Sequence, residues 1–146
     1  MNNPHQQLLQ QIDLMLRARY PLLYIVGVEE EAIEQVLQQL TQIPQTPRQL
    51  LLWDIVTGWD DNGTDKGSVM GALSRITKTP ENTTTIFVLR DIHFILKNSD
   101  TEKNAPVIRA IKNLTRQLKR TRQTLILTSH TLIIPPEIQE EITVID

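Results

Sequence analysis

Residues 85–96 read Thr-Ile-Phe-Val-Leu-Arg-Asp-Ile-His-Phe-Ile-Leu, and their reading decides the fold. Ile86, Phe87, Val88 and Leu89 form an uninterrupted apolar run with polar chain before it. A short run of this kind predicts a strand buried on both faces, as in a parallel sheet with helices on each side. Arg90 and Asp91 follow where that strand leaves the sheet. Ligands of parallel α/β sheets bind at the carboxyl ends of the strands, so chemistry is expected at this pair.

The chain on either side supplies the rest of such a sheet. Asn3-Pro4 predicts the start of a helix, with Pro4 at its first position and Leu8, Leu9, Ile12, Met15 and Leu16 on one face. Pro21 ends that helix, and 22–26 is a buried strand. A second helix is expected over 29–43, with Ile33, Val36, Leu37 and Leu40 inward and three acids in its first turn. A second strand is expected over 50–56, a polar loop over 58–67 and a third helix over 68–78. After Leu96 the reading is a polar loop over 97–104, then a long helix over 105–121. Strands over 124–128 and 142–145 close the chain, with Pro135-Pro136 starting a turn or short helix between them. Alternating strands and helices predict an α/β fold: a parallel five-stranded sheet flanked by helices in three layers.

At 146 residues the chain is read as one domain, 1–146, with enough length for a core. A net charge of −2 gives the whole chain no bulk attraction for nucleic acid or membranes. The absence of cysteine excludes disulfides and thiolate zinc sites. No apolar run approaches a membrane span, and MNNPHQQLLQQ lacks the pattern of a secretory signal. The abrupt end in Glu-Ile-Thr-Val-Ile-Asp, residues 141–146, leads to the expectation of a fragment of a longer protein.

Each candidate site stands beside a plainer reading. The first strand–helix junction reads Gly27-Val28-Glu29-Glu30-Glu31. A phosphate loop needs glycines so that backbone N–H groups wrap the phosphates, and a Lys to reach them. This junction has one glycine, no Lys and three acids, and is read as an ordinary turn. Gly58-Trp59-Asp60-Asp61-Asn62-Gly63 spaces two glycines as a phosphate loop would, but Thr64 follows where Lys should stand. An EF-hand register starting at Asp60 puts Asp65 at the glycine position and Gly71 at the glutamate position, so a flexible solvated loop is expected. Asp91 could bind magnesium, but Arg90 beside it is expected to compete for its carboxylate. His93 reads as a structural residue. Arg109, Lys112, Arg116, Lys119, Arg120 and Arg122 put six cations and no acid along the long helix. They are either a solvated face or a docking surface for an acid-rich partner. No aromatic residue interleaves with them, which disfavours stacking on single-stranded nucleic acid.

The closing stretch, Leu125-Ile126-Leu127-Thr128-Ser129-His130, then 134–138 and 140–146, resembles the sensor strand, following turn and fifth strand of AAA ATPase domains. More narrowly, Tyr20-Pro21-Leu22-Leu23-Tyr24, 87–93 and 135–146 resemble the N-terminal domain of the AAA ATPases of hypothetical chloroplast reading frame forty-six and their cyanobacterial relatives. In that family a degenerate AAA-like domain precedes a complete ATPase domain. The resemblance places Arg90 where active members have the magnesium-binding Asp, Asp91 where they have the catalytic Glu, and Ser129 where they have the sensor Asn. It places Trp59 in the loop that lines the pore of hexameric AAA proteins, as a contact residue. No Arg follows the sensor strand to act as a finger.

The expectation is a domain without nucleotide chemistry, serving assembly or partner binding in a cyanobacterial or plastid AAA ATPase. Its partners would be proteins, a following ATPase domain or copies of itself, with no membrane. No cofactor or metal is expected on this chain; ATP and magnesium would belong to the following domain. The compartment would be cyanobacterial cytoplasm or plastid stroma. Two alternatives are a nucleotide-binding domain without the usual phosphate loop, and a nucleic-acid module using the basic helix. Asp91 is expected to be held by backbone or a cation, in a filled cleft.

Overall fold

The computed structural model describes residues 3–27 and 29–146. Val28, in the junction read above, and the first two residues of the N-terminal stretch lie outside the described residues. Helix α1 (Pro4–Arg17) starts as expected: Asn3 accepts from the Gln6 N–H at 2.8 Å and Pro4 occupies the first turn. Strand β1 (Leu22–Val26) and helix α2 (Glu30–Thr41) follow. Strand β2 (Gln49–Asp54) leads to β3 (Gly58–Trp59) and helix α3 (Val69–Lys78), which Ser68 caps by accepting from the Gly71 N–H at 2.9 Å. Strand β4 (Thr85–Arg90), helices α4 (His93–Lys97) and α5 (Ala105–Leu118), and strand β5 (Gln123–Ser129) come next. A 3₁₀ turn (Pro136–Ile138) precedes β6 (Thr143–Ile145).

The strand order is β3-β2-β4-β5-β1-β6, parallel except for β3. The fold is the expected three-layer α/β sheet. Side chains alternate across it as the pleat requires. Phe87, Leu89, Leu125 and Leu127 join α3 and α5 in one core, while Ile86, Val88 and Ile126 join α1 and α2 in the other. Among the described residues no helix is long and apolar enough to cross a membrane.

The structure departs from the expectations at four points. The sheet has six strands, because Gly58-Trp59 pairs antiparallel with Trp53-Asp54. The strand expected over 50–56 ends at Asp54, and Val56 is exposed in the turn beyond it. Asp54 stops the strand by accepting from the Val56 and Thr57 N–H groups at 2.9 and 2.8 Å. No element was expected over Ile92-His93-Phe94-Ile95-Leu96, yet 93–97 is helix α4, with Ile95 and Leu96 buried.

The fourth concerns the loop over 58–67 and Trp59. Trp59 is 1% exposed, so it is core and not a pore-facing contact. Its ring meets Phe87 edge-on, with centroids 6.0 Å apart. Its indole N–H donates to the Asp65 carboxylate at 3.1 Å, and the Trp53 indole donates to the Asp65 backbone carbonyl at 3.0 Å. One acidic residue thus satisfies two buried indoles, which lets both rings leave water. Arg75 lies over Trp59, 5.1 Å from the ring centre, and donates to both Asp61 carboxylate oxygens at 2.8 and 2.6 Å. Gly58 has φ +70, and a Cβ there would come within 2.3 Å of the Thr64 carbonyl oxygen. Only glycine allows this close approach.

Candidate functional site at the carboxyl ends of the strands

Strand β4 delivers Arg90 and Asp91 to the carboxyl edge of the sheet, and β1 and β5 deliver Gly27 and Ser129 beside them. Arg90 and Asp91 part company there. Arg90 donates through Nε and Nη2 to the two carboxylate oxygens of Glu34, each at 2.6 Å. Its Nη1 reaches Asp54 at 3.3 Å, and Glu30 stands 3.9 Å from Nε. The guanidinium is therefore gripped by three acids from α2 and the end of β2. The bidentate bond to Glu34, strengthened by the nearby acids against the cost of burial, raises the Arg90 pKa further and keeps it charged.

The electrostatics of the three acids differ. Burial pushes Glu30 up, Glu34 adds to the rise, and Arg90 only partly counters it. Burial also pushes Asp54 up, but bonds from the Thr57 hydroxyl and the Thr57 and Val56 N–H groups, with Arg90, bring it below the usual carboxylate range.

Asp91 is not held as expected. Its backbone is left-handed, φ 59, and its N–H donates to the Thr128 carbonyl at 2.9 Å, one step beyond the β4–β5 ladder. Its side chain is exposed, with no hydrogen-bond or ion-pair partner among the described residues. Arg90 does not compete for it, because successive side chains leave the chain in different directions and Glu34 offers the bidentate geometry. Asp91 lines a cleft of about 260 Å³ together with Gly27, Glu30, Ile33, Ser129 and His130. Among the described residues no side chain fills this cleft.

Ser129, at the sensor position, is 6% exposed. Its hydroxyl and the Tyr24 hydroxyl both donate to the Thr131 carbonyl and lie 3.1 Å apart. The Thr131 N–H donates back to Ser129 Oγ at 3.1 Å. The serine therefore shapes its own turn. His93 stacks edge-on with His130, centroids 5.4 Å apart, and its buried Nδ1 lacks a hydrogen-bond partner among the described residues. Among the described residues no group of three His, Asp or Glu is arranged to hold a metal.

No residue of the basic helix is in the lining of this cleft. Arg109, Arg116 and Arg120 are exposed and Lys112 is half-buried. Lys119, at the C-cap, pairs with Glu141 at 3.5 Å, so it contributes less free charge than its spacing implied.

Glu34 and Asp54 were not singled out in the sequence. Glu34 lies four residues after Glu30, one turn along the same helix face, which is the signal that could have found it. Its partner is 56 residues away, and nothing local points there.

Comparison with known proteins places this geometry. Residues 8–146 match the family described as SpoVK-like AAA ATPase, N-terminal domain. The AAA domain-containing protein ycf46 of Guillardia theta is 31% identical over 136 residues, covering 90% of this chain and 26% of that protein. The ycf46 protein of Trieres chinensis is 30% identical with the same coverage, and that of Pyropia yezoensis is 28% identical over 141 residues, 94% of this chain and 27% of that protein. The chain thus spans about a quarter of the length of these relatives. A chain in the structure of Drosophila ORC bound to DNA superposes with a TM-score of 0.53 at 12% identity, covering 97% of this chain and 88% of that one, a likeness of fold. With a family match over nearly its whole length and the strand order above, this chain belongs to the SpoVK-like AAA ATPase N-terminal domain family.

Proposed function

We propose that this domain serves assembly or partner binding within an AAA ATPase and does not itself hydrolyse nucleotide. The observation that carries the reading is the grip of Glu34, Asp54 and Glu30 on Arg90. A hydrolytic centre needs carboxylates free to hold magnesium, and metal coordination here would have to displace a guanidinium bound by two short hydrogen bonds. The acids at the start of α2 add repulsion toward a triphosphate at the helix end that would otherwise attract it. ATP and magnesium then belong to a part of the parent protein outside this chain. The exposed cations Arg109 and Arg116 of α5 and Arg120 of the turn after it, with Lys112 beside them, are the docking surface we assign to an acidic protein partner. The compartment we assign is cyanobacterial cytoplasm or plastid stroma.

A second reading, nucleotide binding without the usual loop, draws on the free carboxylate of Asp91 in its open cleft. Binding is read by calorimetric titration with ATP and magnesium, where ATP binding that Asp91→Asn abolishes would favour the second reading, and turnover by a hydrolysis assay of the chain with ATP and magnesium, wild type against Asp91→Asn. Both proteins are expected to show no release of phosphate above buffer. Magnesium-dependent hydrolysis that disappears in Asp91→Asn overturns the non-catalytic reading.

A further inference from the structure

We propose that the amino ends of the strands, the end of the sheet opposite Arg90, form a binding site for a small anion carrying two or more phosphate groups. A cavity of about 340 Å³ opens there, within the size range of small-molecule sites. Its lining includes Arg17, Arg19, Arg48 and Arg122 and no acid. Leu16, Pro47 and Ile86 supply apolar lining between them.

Arg48 is built into this wall. Its side chain is 4% exposed; Nη1 donates to the Leu40 carbonyl at 3.1 Å and Nη2 to Asp13 at 3.0 Å. A guanidinium has five N–H donors, so more than half of its donor capacity is left for a ligand. Asp13 also pairs with Arg17 at 3.3 Å, and that single carboxylate serves both cations. Arg19 and Arg122 are exposed at the rim, with no ion pair among the described residues. Arg19 takes a left-handed backbone, φ 62, directly after the end of α1, a conformation that an arginine adopts at some cost. An independent observation lies in the same wall. Thr46 lines the cavity, and its buried hydroxyl oxygen has no hydrogen-bond partner among the described residues. Buried hydroxyls are normally satisfied, so a ligand acceptor at this place would remove a deficit.

The chemistry selects the ligand. Planar guanidinium forks match phosphate oxygens in pairs, and Arg is favoured over Lys where that geometry matters. Four forks around one small cavity exceed what one phosphate can occupy. The lining has no aromatic residue on which a base could stack, so the anion and not a nucleobase is what is recognised.

Calorimetric titration with pyrophosphate, in magnesium-free buffer at low salt, tests this. Saturable binding of one pyrophosphate per chain is expected. Arg19→Gln with Arg122→Gln should weaken it at least tenfold, since both side chains are exposed and their loss leaves the fold intact. Lys97→Gln with Lys103→Gln removes the same charge elsewhere on the exposed surface and should change affinity less than twofold. Inorganic phosphate is expected to bind at least tenfold more weakly. Absence of saturable binding, equal weakening by the two pairs, or equal affinity for inorganic phosphate overturns the proposal. A hexaglutamate peptide that binds as tightly as pyrophosphate overturns it too, in favour of a peptide site. Binding at this cavity is independent of Asp91, so it is distinguishable from binding in the opposite cleft by the insensitivity of pyrophosphate affinity to Asp91→Asn.

Discussion

The two ends of the sheet are charge opposites. At the carboxyl ends one arginine, Arg90, sits among Glu30, Glu34 and Asp54, with Asp91 free nearby. At the amino ends one aspartate, Asp13, is shared by Arg17 and Arg48, with Arg19 and Arg122 close by. A net charge of −2 conceals this separation. The difference teaches that a lone counter-charge does different work in the two places. Arg90 neutralises acids already committed by fold position, whereas Asp13 fixes two cations and leaves others unmatched.

The sharpest way to break this contrast is to remove the lone charge at the acidic end. Arg90→Met leaves three carboxylates facing one another at the mouth of the sheet. With the Arg90 side chain 19% exposed and Glu34 18%, the loss should be about 2 kcal/mol in urea unfolding, below the figure for a fully buried pair. A loss under about 0.5 kcal/mol, the scale of an exposed pair, would mean the grip holds nothing. The mirror experiment, Asp13→Asn, should cost less, about 1 kcal/mol, because the amide oxygen can still accept from Arg48. It should also tighten pyrophosphate binding several-fold by removing the negative charge that two guanidiniums share. Unchanged affinity would show that the amino-end cations do not act together.

The smallest effect sharpens the acidic end by pH. Glu30 has its pKa raised above 4.5, so its contribution to stability is full below that value and is lost as pH rises through the folded value. Its charge therefore opposes folding at neutral pH. Glu30→Gln should raise the thermal midpoint slightly at pH 7 and not at pH 4. Equal shifts at both pH values would remove Glu30 from this account.

Much of the frame was legible because its signals are local. The apolar run over 86–89, the Asn3-Pro4 and Ser68 helix starts, and the α5 stripe each lie within one element. Trp59 was not legible. Its neighbours Asp60, Asp61 and Asn62 mark a wet loop, and only the distant Phe87 and the turn back to Asp65 make a buried site for the ring. Helix α4 was hidden because five residues are too few for a helical period to declare itself beside a strand. In the candidate site the positions of Arg90, Asp91 and Ser129 at strand ends could be read from the sequence. Which acid takes the arginine could not, because adjacency in sequence suggested Asp91 while the fold brings Glu34.

Strand β3 has a further effect at the border of the sheet. Trp59 and Gly58 pair with the last residues of β2, and Asp60 continues the cover by accepting from the Leu52 N–H at 3.0 Å and donating its own N–H to the Leu52 carbonyl at 2.9 Å. The backbone groups there that could template another chain are occupied from within. At the far border β6 has three residues. Short or covered borders are how sheet proteins avoid edge-to-edge aggregation. A sheet stopped in this way resists lengthening by a neighbour's strand, so contacts in any larger assembly fall to helices and side chains.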